Sequence, residues 1–236
     1  MNKKAFSLIC AILCSVIWGT SFVAQDMGMD FIGPFTFTAA RMFLGFATLI
    51  PFFFIFEFKK VKETNLNLKI IIGYLILLGF FLAGGNIFQQ VSLLFTDVAN
   101  SAIFTVLYVV IVPIIAYFLF SKNIHRSVWI AVFMCLLGGL LLSELDNLRM
   151  RYGDSLVIIG AFFWAFHIVY VSKFLKIFNF PVTIATFQCF FGAIFCFLPA
   201  SAFEYISLQT LMMEGKELLY AGVLSSGIAF LLQVYG

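Results

Sequence analysis

The sequence predicts an all-α polytopic membrane protein, an inverted repeat of five-helix units with eight helices present of an expected ten. Three observations predict this class. Hydrophobic residues make up 63% of the 236 and charged residues 11%, with mean hydropathy +1.10, whereas a soluble domain carries about 25% charged residues. Eight apolar stretches fill nearly the whole chain, most of them near or above the ~20 residues a helix needs to cross a bilayer. The later stretches also repeat landmarks of the earlier ones at a near-constant offset. Runs such as 70–82 and 102–120 are continuous rather than alternating, which selects helices over membrane strands.

The spans are read at residues 6–24, 34–56, 70–91, 98–120, 128–143, 155–172, 181–200 and 218–236. The first follows Lys3 and Lys4 as a signal peptide would. Its apolar run reaches Phe22 and Val23 with no clear A-x-A site, so it is read as the first membrane helix. Pro34 opens the second span and Pro51 falls near its end. Gly84-Gly85 in the third and Gly138-Gly139 in the fifth are read as sites of close helix approach. Pro113 lies within the fourth, and prolines there can bend a helix. The fifth span is short, yet omitting it would invert everything downstream. The sixth carries Trp164, the seventh opens at Pro181 with Pro199 near its end, and the eighth closes the sequence. The charge run at 59–63 reads as solvated loop.

Lysine and arginine set the orientation. With the N-terminus inside, inner segments hold ten of them: Lys3, Lys4, Lys59, Lys60, Lys62, Lys69, Lys122, Arg126, Lys173 and Lys176. Outer segments hold three: Arg149, Arg151 and Lys216. Arg41 lies within a helix. Segments 57–69 and the N-terminus are therefore expected in the cytoplasm, with 144–154 and 201–217 outside.

Trp18 and Trp164, Pro34 and Pro181, and Pro51 and Pro199 are separated by 146, 147 and 148 residues. Gly79, Gly84 and Gln90 match Gly222, Gly227 and Gln233, each 143 residues on. The unit is five helices, because the sixth matches the first, and an odd number of crossings reverses the second copy. Inverted repeats are a recurrent transporter architecture. The expected domains are a first repeat at 1–147, helices one to five, and a second at 148–236, helices six to eight. Two further helices are expected beyond Gly236.

Ile17-Trp18-Gly19-Thr20-Ser21-Phe22 resembles the W-G-x-x-[FY] signature of the EamA family in the drug/metabolite transporter superfamily. Ala39-Ala40-Arg41 resembles that family's small-residue-then-Arg pattern. Asp97-Val98-Ala99-Asn100-Ser101-Ala102, followed by Pro113, resembles its fourth helix, and Phe163-Trp164-Ala165-Phe166 its second-repeat W-A-[FLY]. The resemblance covers essentially the whole chain. It implies ten helices, cytoplasmic termini, and a central substrate cavity between the repeats. Ser121-Lys122 departs from the acidic residue many members carry after helix four.

A polar side chain in hydrocarbon is costly and so faces the bundle or a wet cavity. On that filter the substrate-cavity candidates are Trp18, Ser21 and Gln25 on helix one; Asn86 and Gln90 on helix three; Asn100 and Tyr108, with Phe104, on helix four; Trp164 and His167 on helix six; Gln188 on helix seven; and Gln233 on helix eight. Each stripe holds helical spacing. The competing reading is hydrogen-bonded glue between helices. His167 is the one histidine within a span, with an imidazole able to shuttle protons. Every Asp and Glu falls in a loop or at a helix end. Arg41 lies about 12 Å deep at 1.5 Å per residue, and Asp97 is its expected partner in a structural charge pair.

The five cysteines are odd in number, lie within apolar spans and form no CxxC. Neither a disulfide framework, a metal site nor a cofactor is expected, and no phosphate-binding loop appears. The reading is a secondary transporter of a small organic solute (a metabolite, amino acid or drug-like compound) working by alternating access in a bacterial plasma membrane. Its partners are the solute and the lipid bilayer, with no nucleic acid, and a homodimer is compatible with it. The alternatives are a membrane-embedded enzyme, which needs converging nucleophiles, carboxylates or metal ligands, and a membrane binding protein without flux.

Overall fold

The computed structural model describes residues 2–121, 124–142 and 150–236. Lys122 and Arg149 of the sequence reading, and most of the 144–154 segment, lie outside the described residues. Among the described residues the regular secondary structure is helical, joined by turns and short coil. The elements are α1 Lys3–Met27, α2 Pro34–Phe56, α3 Phe58–Lys62, α4 Leu68–Ser92, α5 Val98–Thr105, α6 Tyr108–Phe120, α7 Arg126–Leu142, α8 Tyr152–Ile177, α9 Pro181–Phe203, α10 Leu208–Met213, α11 Gly215–Leu219, a π-helical stretch Tyr220–Ile228, and α12 Ala229–Tyr235. Among the described residues seven segments are long and apolar enough to cross a membrane, and Arg126–Gly138 is a shorter apolar helix. Their outer faces carry large apolar side chains such as Ile55, Phe118 and Leu198, a surface suited to lipid.

Two spans differ from unbroken α-helices. The fourth is interrupted between α5 and α6, where the amides of Val109 and Val110 bond back three residues to Val106 and Leu107 at 2.9 and 3.0 Å. The chain tightens there, several residues ahead of Pro113, and α6 continues through the proline itself. The eighth widens into the π-helical stretch. Hydropathy reports that a segment is apolar and not which hydrogen-bond ladder it uses, so neither departure was visible in the pattern. The charge run at 59–63, read as solvated loop, falls largely within the exposed one-turn helix α3.

The chain forms two compact units. One comprises Met1–Ala83 with Val171–Gly236, and the other Gly84–Tyr170. These boundaries cut through α4 and α8 and differ from the repeat boundaries drawn from sequence.

In the first unit two glycines make close contacts at positions that the repeat expected from sequence would relate. A Cβ added at Gly79 of α4 would lie 2.4 Å from the Phe191 Cβ of α9. A Cβ added at Gly222 of the π-helical stretch would lie 2.5 Å from the Leu44 Cβ of α2. Leu44 and Phe191 are repeat equivalents, as are Gly79 and Gly222. The same contact is thus made twice, with the roles of the copies exchanged, and each needs a glycine because the backbone opposite is too near for a side chain. Aromatic rings fill the α2–α9 seam, with Phe46 and Phe190 at 5.0 Å and Phe53 and Phe187 at 5.1 Å between centroids.

In the second unit the predicted close approach at Gly84-Gly85 is present. Cβ atoms added there would meet the Phe163 ring at 2.2 Å and the Trp164 ring at 3.0 Å. Gly138 has open space instead. Ile115 of α6 packs on Ala165 and Val169 of α8, flanked by Tyr108, Ile111 and Phe166.

Candidate functional site

Pro34 and Pro181 each stand in the first turn of a helix whose leading amides have no partner within it. The capping residues Gly33 and Phe180 supply no side-chain bond. The acceptors come from elsewhere. Glu204, one residue past the end of α9, accepts from the amides of Phe35 at 2.9 Å and Thr36 at 2.7 Å. Glu57, one residue past the end of α2, accepts from the amides of Val182 at 3.1 Å and Thr183 at 2.7 Å. Each helix therefore ends against the start of the other, so α2 and α9 run antiparallel with a carboxylate on the positive pole of each dipole. Glu57 and Glu204 are 147 residues apart, the spacing of Pro34 and Pro181. Sequence reasoning missed both. The shared offset was the signal that could have found them.

The two ends are not identical. Thr183 also donates its hydroxyl to Glu57 at 2.7 Å. The hydroxyl of Thr36, its repeat equivalent, is buried and has no hydrogen-bond partner among the described residues.

The first unit also holds a polar cluster along α1. Ser21 and Gln25 are 2% exposed and Trp18 is half-buried. The Ser21 hydroxyl donates to the Trp18 carbonyl at 2.8 Å, and the Gln25 amide donates to both the carbonyl and the hydroxyl of Ser21 at 3.2 Å. The Trp18 indole donates to the Ser225 carbonyl at 3.2 Å and meets the Phe230 ring edge-on at 5.4 Å. The Cys189 thiol donates to the Ser226 carbonyl at 3.3 Å. Two carbonyls of the π-helical stretch are thus engaged by side chains of α1 and α9, as suits a widened ladder that turns carbonyls outward. Gln188 of α9 and Arg41 of α2 are buried, and Gln233 of α12 is half-buried. Ser225 and Ser226 were not singled out from sequence, since serines within an apolar run carry no distinguishing pattern.

In the second unit Asn86 and Gln90 of α4 and Trp164 and His167 of α8 are all buried. Trp164 and His167 meet edge-on at 5.9 Å. The same unit holds a chain of bonds that sequence did not predict. Gln89 donates to the Thr105 hydroxyl at 2.9 Å, Thr105 donates to the Ser101 carbonyl at 2.8 Å, and the Ser92 and Ser101 hydroxyls lie 3.1 Å apart. The expected stripe of Asn100, Phe104 and Tyr108 does not share one helix, because α5 ends at Thr105. Asn100 and Tyr108 are half-buried. The buried polar face of α5 is one residue on, at Ser101 and Thr105.

Asp97 forms its ion pair with Arg151. The adjacent Thr96 donates to buried Asp154 at 2.5 Å, and Asp154 also accepts from the Arg151 amide at 2.8 Å. Those bonds carry the α4–α5 turn to the start of α8 and bring the arginine to Asp97. Arg41 is 2% exposed, with its carbonyl against Gly222. Among the described residues no cluster of His, Cys, Asp and Glu is arranged to hold a metal.

The sequence matches the EamA-like transporter family over residues 5–144 and 151–236. The chain belongs to the EamA-like transporter family. An uncharacterized transporter of Archaeoglobus fulgidus is 28% identical over 188 residues, covering 80% of this chain and 56% of that protein. The chain thus spans little more than half the length of that relative. The uncharacterized transporter YoaV of Bacillus subtilis is 24% identical over 227 residues, covering 93% of this chain and 75% of that protein. A solved structure described only as the crystal structure of a protein superposes with a TM-score of 0.76 at 18% identity, over all of this chain and 79% of the other. That likeness shows the shared fold.

Proposed function

We propose that this EamA protein is a secondary transporter of a small organic solute, a metabolite, amino acid or drug-like compound, working by alternating access between two inverted repeats. The observation that carries the proposal is the reciprocal capping of α2 and α9 by Glu204 and Glu57. Two copies of opposite orientation meet there through equivalent residues, the arrangement that lets repeats exchange conformations. The two matched segments of the family, 5–144 and 151–236, fall on either side of the proposed repeat boundary at 147. We assign the N-terminus to the cytoplasm and the protein to the cell membrane on the basic-residue bias.

The two polar clusters are the proposed stations for solute: Trp18, Ser21, Gln25, Gln188 and Gln233 in one unit, and Asn86, Gln90, Asn100, Tyr108, Trp164 and His167 in the other. Amides, hydroxyls and indoles orient a small polar solute without fixing it by charge. Buried carboxylates among the described residues sit at helix ends and are engaged by amides or hydroxyls, as at Glu57, Asp154 and Glu214. This supports a facilitator or exchanger rather than proton coupling through a membrane carboxylate, and it favours transport over catalysis.

The test is uptake of radiolabelled amino acids and small metabolites by the purified full chain in proteoliposomes, with and without an imposed pH gradient. Saturable uptake, accelerated by unlabelled solute inside and indifferent to the gradient, is expected. Product formation without translocation, or uptake equal to protein-free vesicles for every compound, overturns the reading.

A further inference from the structure

The paired caps define which part of the molecule stays fixed. We infer that Glu57 and Glu204 are positioning residues that clamp α2 to α9 at both ends, making this helix pair the static axis of the transport cycle. The inference rests on the alternating-access reading above.

The argument is one of symmetry. When inverted repeats exchange conformations, every contact in one state maps onto its repeat equivalent in the other. The bonds from Glu57 to the start of α9 map onto those from Glu204 to the start of α2. Both sets are closed together in this structure. The exchanged state therefore has both sets closed as well. Contacts that alternate are closed at one end and open at the other, and these are not of that kind.

Energetics points the same way. Glu57 is 6% exposed, and opening its end would strand a buried carboxylate together with the donors of Val182 and Thr183. At the other end a Cβ added to Gly33 would lie 2.2 Å from the Glu204 Cδ, so that carboxylate seats directly over a glycine. Each clamp residue follows the last turn of its own helix. A slide of α2 along α9 would break both clamps at once.

One bond does distinguish the ends. The Thr183 hydroxyl reaches Glu57 while the Thr36 hydroxyl has no partner among the described residues. Under exchange this bond changes sides, and Thr36 donates to Glu204 instead. The axis stays closed and a single hydroxyl marks the state.

The test uses the full chain, with its native cysteines replaced, in lipid nanodiscs. Spin labels at Asp30 and Tyr205 report the Glu204 end, and labels at Lys60 and Asn179 report the Glu57 end, all at exposed positions. Pulsed electron–electron resonance should give one narrow distance population at each end. Glu204→Gln should broaden only the 30–205 distribution and Glu57→Gln only the 60–179 distribution. A general folding role would broaden both equally, and that outcome overturns the proposal. Two populations at either end of the parent also overturn it, because the pair itself then opens. Should a glutamine variant fail to fold, the parent distributions still decide. Bridging the pair with a short bifunctional thiol reagent at Phe35→Cys with Phe203→Cys should leave any measured uptake intact. Loss of uptake on bridging refutes the static axis, whereas a parent that shows no uptake refutes the transport reading and leaves the distances to judge the clamp.

Discussion

Thr183 and Thr36 occupy equivalent places in the first turns of α9 and α2, and only one uses its hydroxyl, so each serves as the other's control. In Thr183→Val the methyl replaces a hydroxyl that donates at 2.7 Å to a buried carboxylate. Hydrogen bonds to charged groups are worth about 1.5–3 kcal/mol. Glu57 keeps its two amide donors, which places the loss near the low end, about 1.5–2 kcal/mol. Valine matches threonine in shape and branching, so no cavity opens. In Thr36→Val no bond is lost, and replacing a buried hydroxyl that has no acceptor is neutral or stabilising by up to about 1 kcal/mol. The difference between the variants is about 2 kcal/mol, or roughly 30-fold in the unfolding equilibrium. The buried free thiols of Cys10, Cys14, Cys189 and Cys196 supply the assay. Their labelling by a fluorogenic maleimide during graded denaturation from mixed micelles reports unfolding directly. Equal midpoints for the two variants, or a larger loss in Thr36→Val, would refute the reasoning that the Glu57 end is the more fully bonded.

Three further outcomes are expected. Gly79→Ala should cost about 1–3 kcal/mol or abolish folding, because its Cβ would lie 2.4 Å from that of Phe191; Gly73→Ala, with nothing within 4 Å, should stabilise by about 0.5–1 kcal/mol, and the same thiol assay compares them. Trp18→Phe should keep the edge contact with Phe230 and lose the 3.2 Å bond to the Ser225 carbonyl, costing about 0.5–1.5 kcal/mol; a variant as stable as the parent would show that bond to contribute nothing. In intact cells lacking the five native cysteines, Lys60→Cys should resist an impermeant thiol reagent while Tyr205→Cys reacts; the reverse pattern inverts the proposed orientation.

The site was only partly legible in the sequence. Ser21, Gln25, Asn86, Gln90, Trp164, His167 and Gln188 were picked out as polar or aromatic residues on helical stripes, and all are buried. Asn100 and Tyr108 were placed on one stripe because an apolar run gives no sign that its helix is interrupted between Thr105 and Tyr108. Glu57 and Glu204 were overlooked for a related reason. A carboxylate just past the end of an apolar run looks like a solvated loop residue, and nothing local reveals that a helix start lies against it. The pairing of Asp97 with Arg151 was not legible either, because depth along a span does not encode the turn that Thr96 and Asp154 fasten to the start of α8.

The sequence by itself determined that the chain is a bundle of membrane helices, and where most of them begin and end. Those properties are carried by short runs of neighbouring residues, because transfer of an apolar segment into lipid depends on composition and length. Only the tertiary structure decided which polar groups meet. Glu57 finds Thr183 across 126 residues and Glu204 finds Thr36 across 168. A hydrogen bond is fixed by a few tenths of an ångström and by direction, and that geometry exists only once the helices have packed.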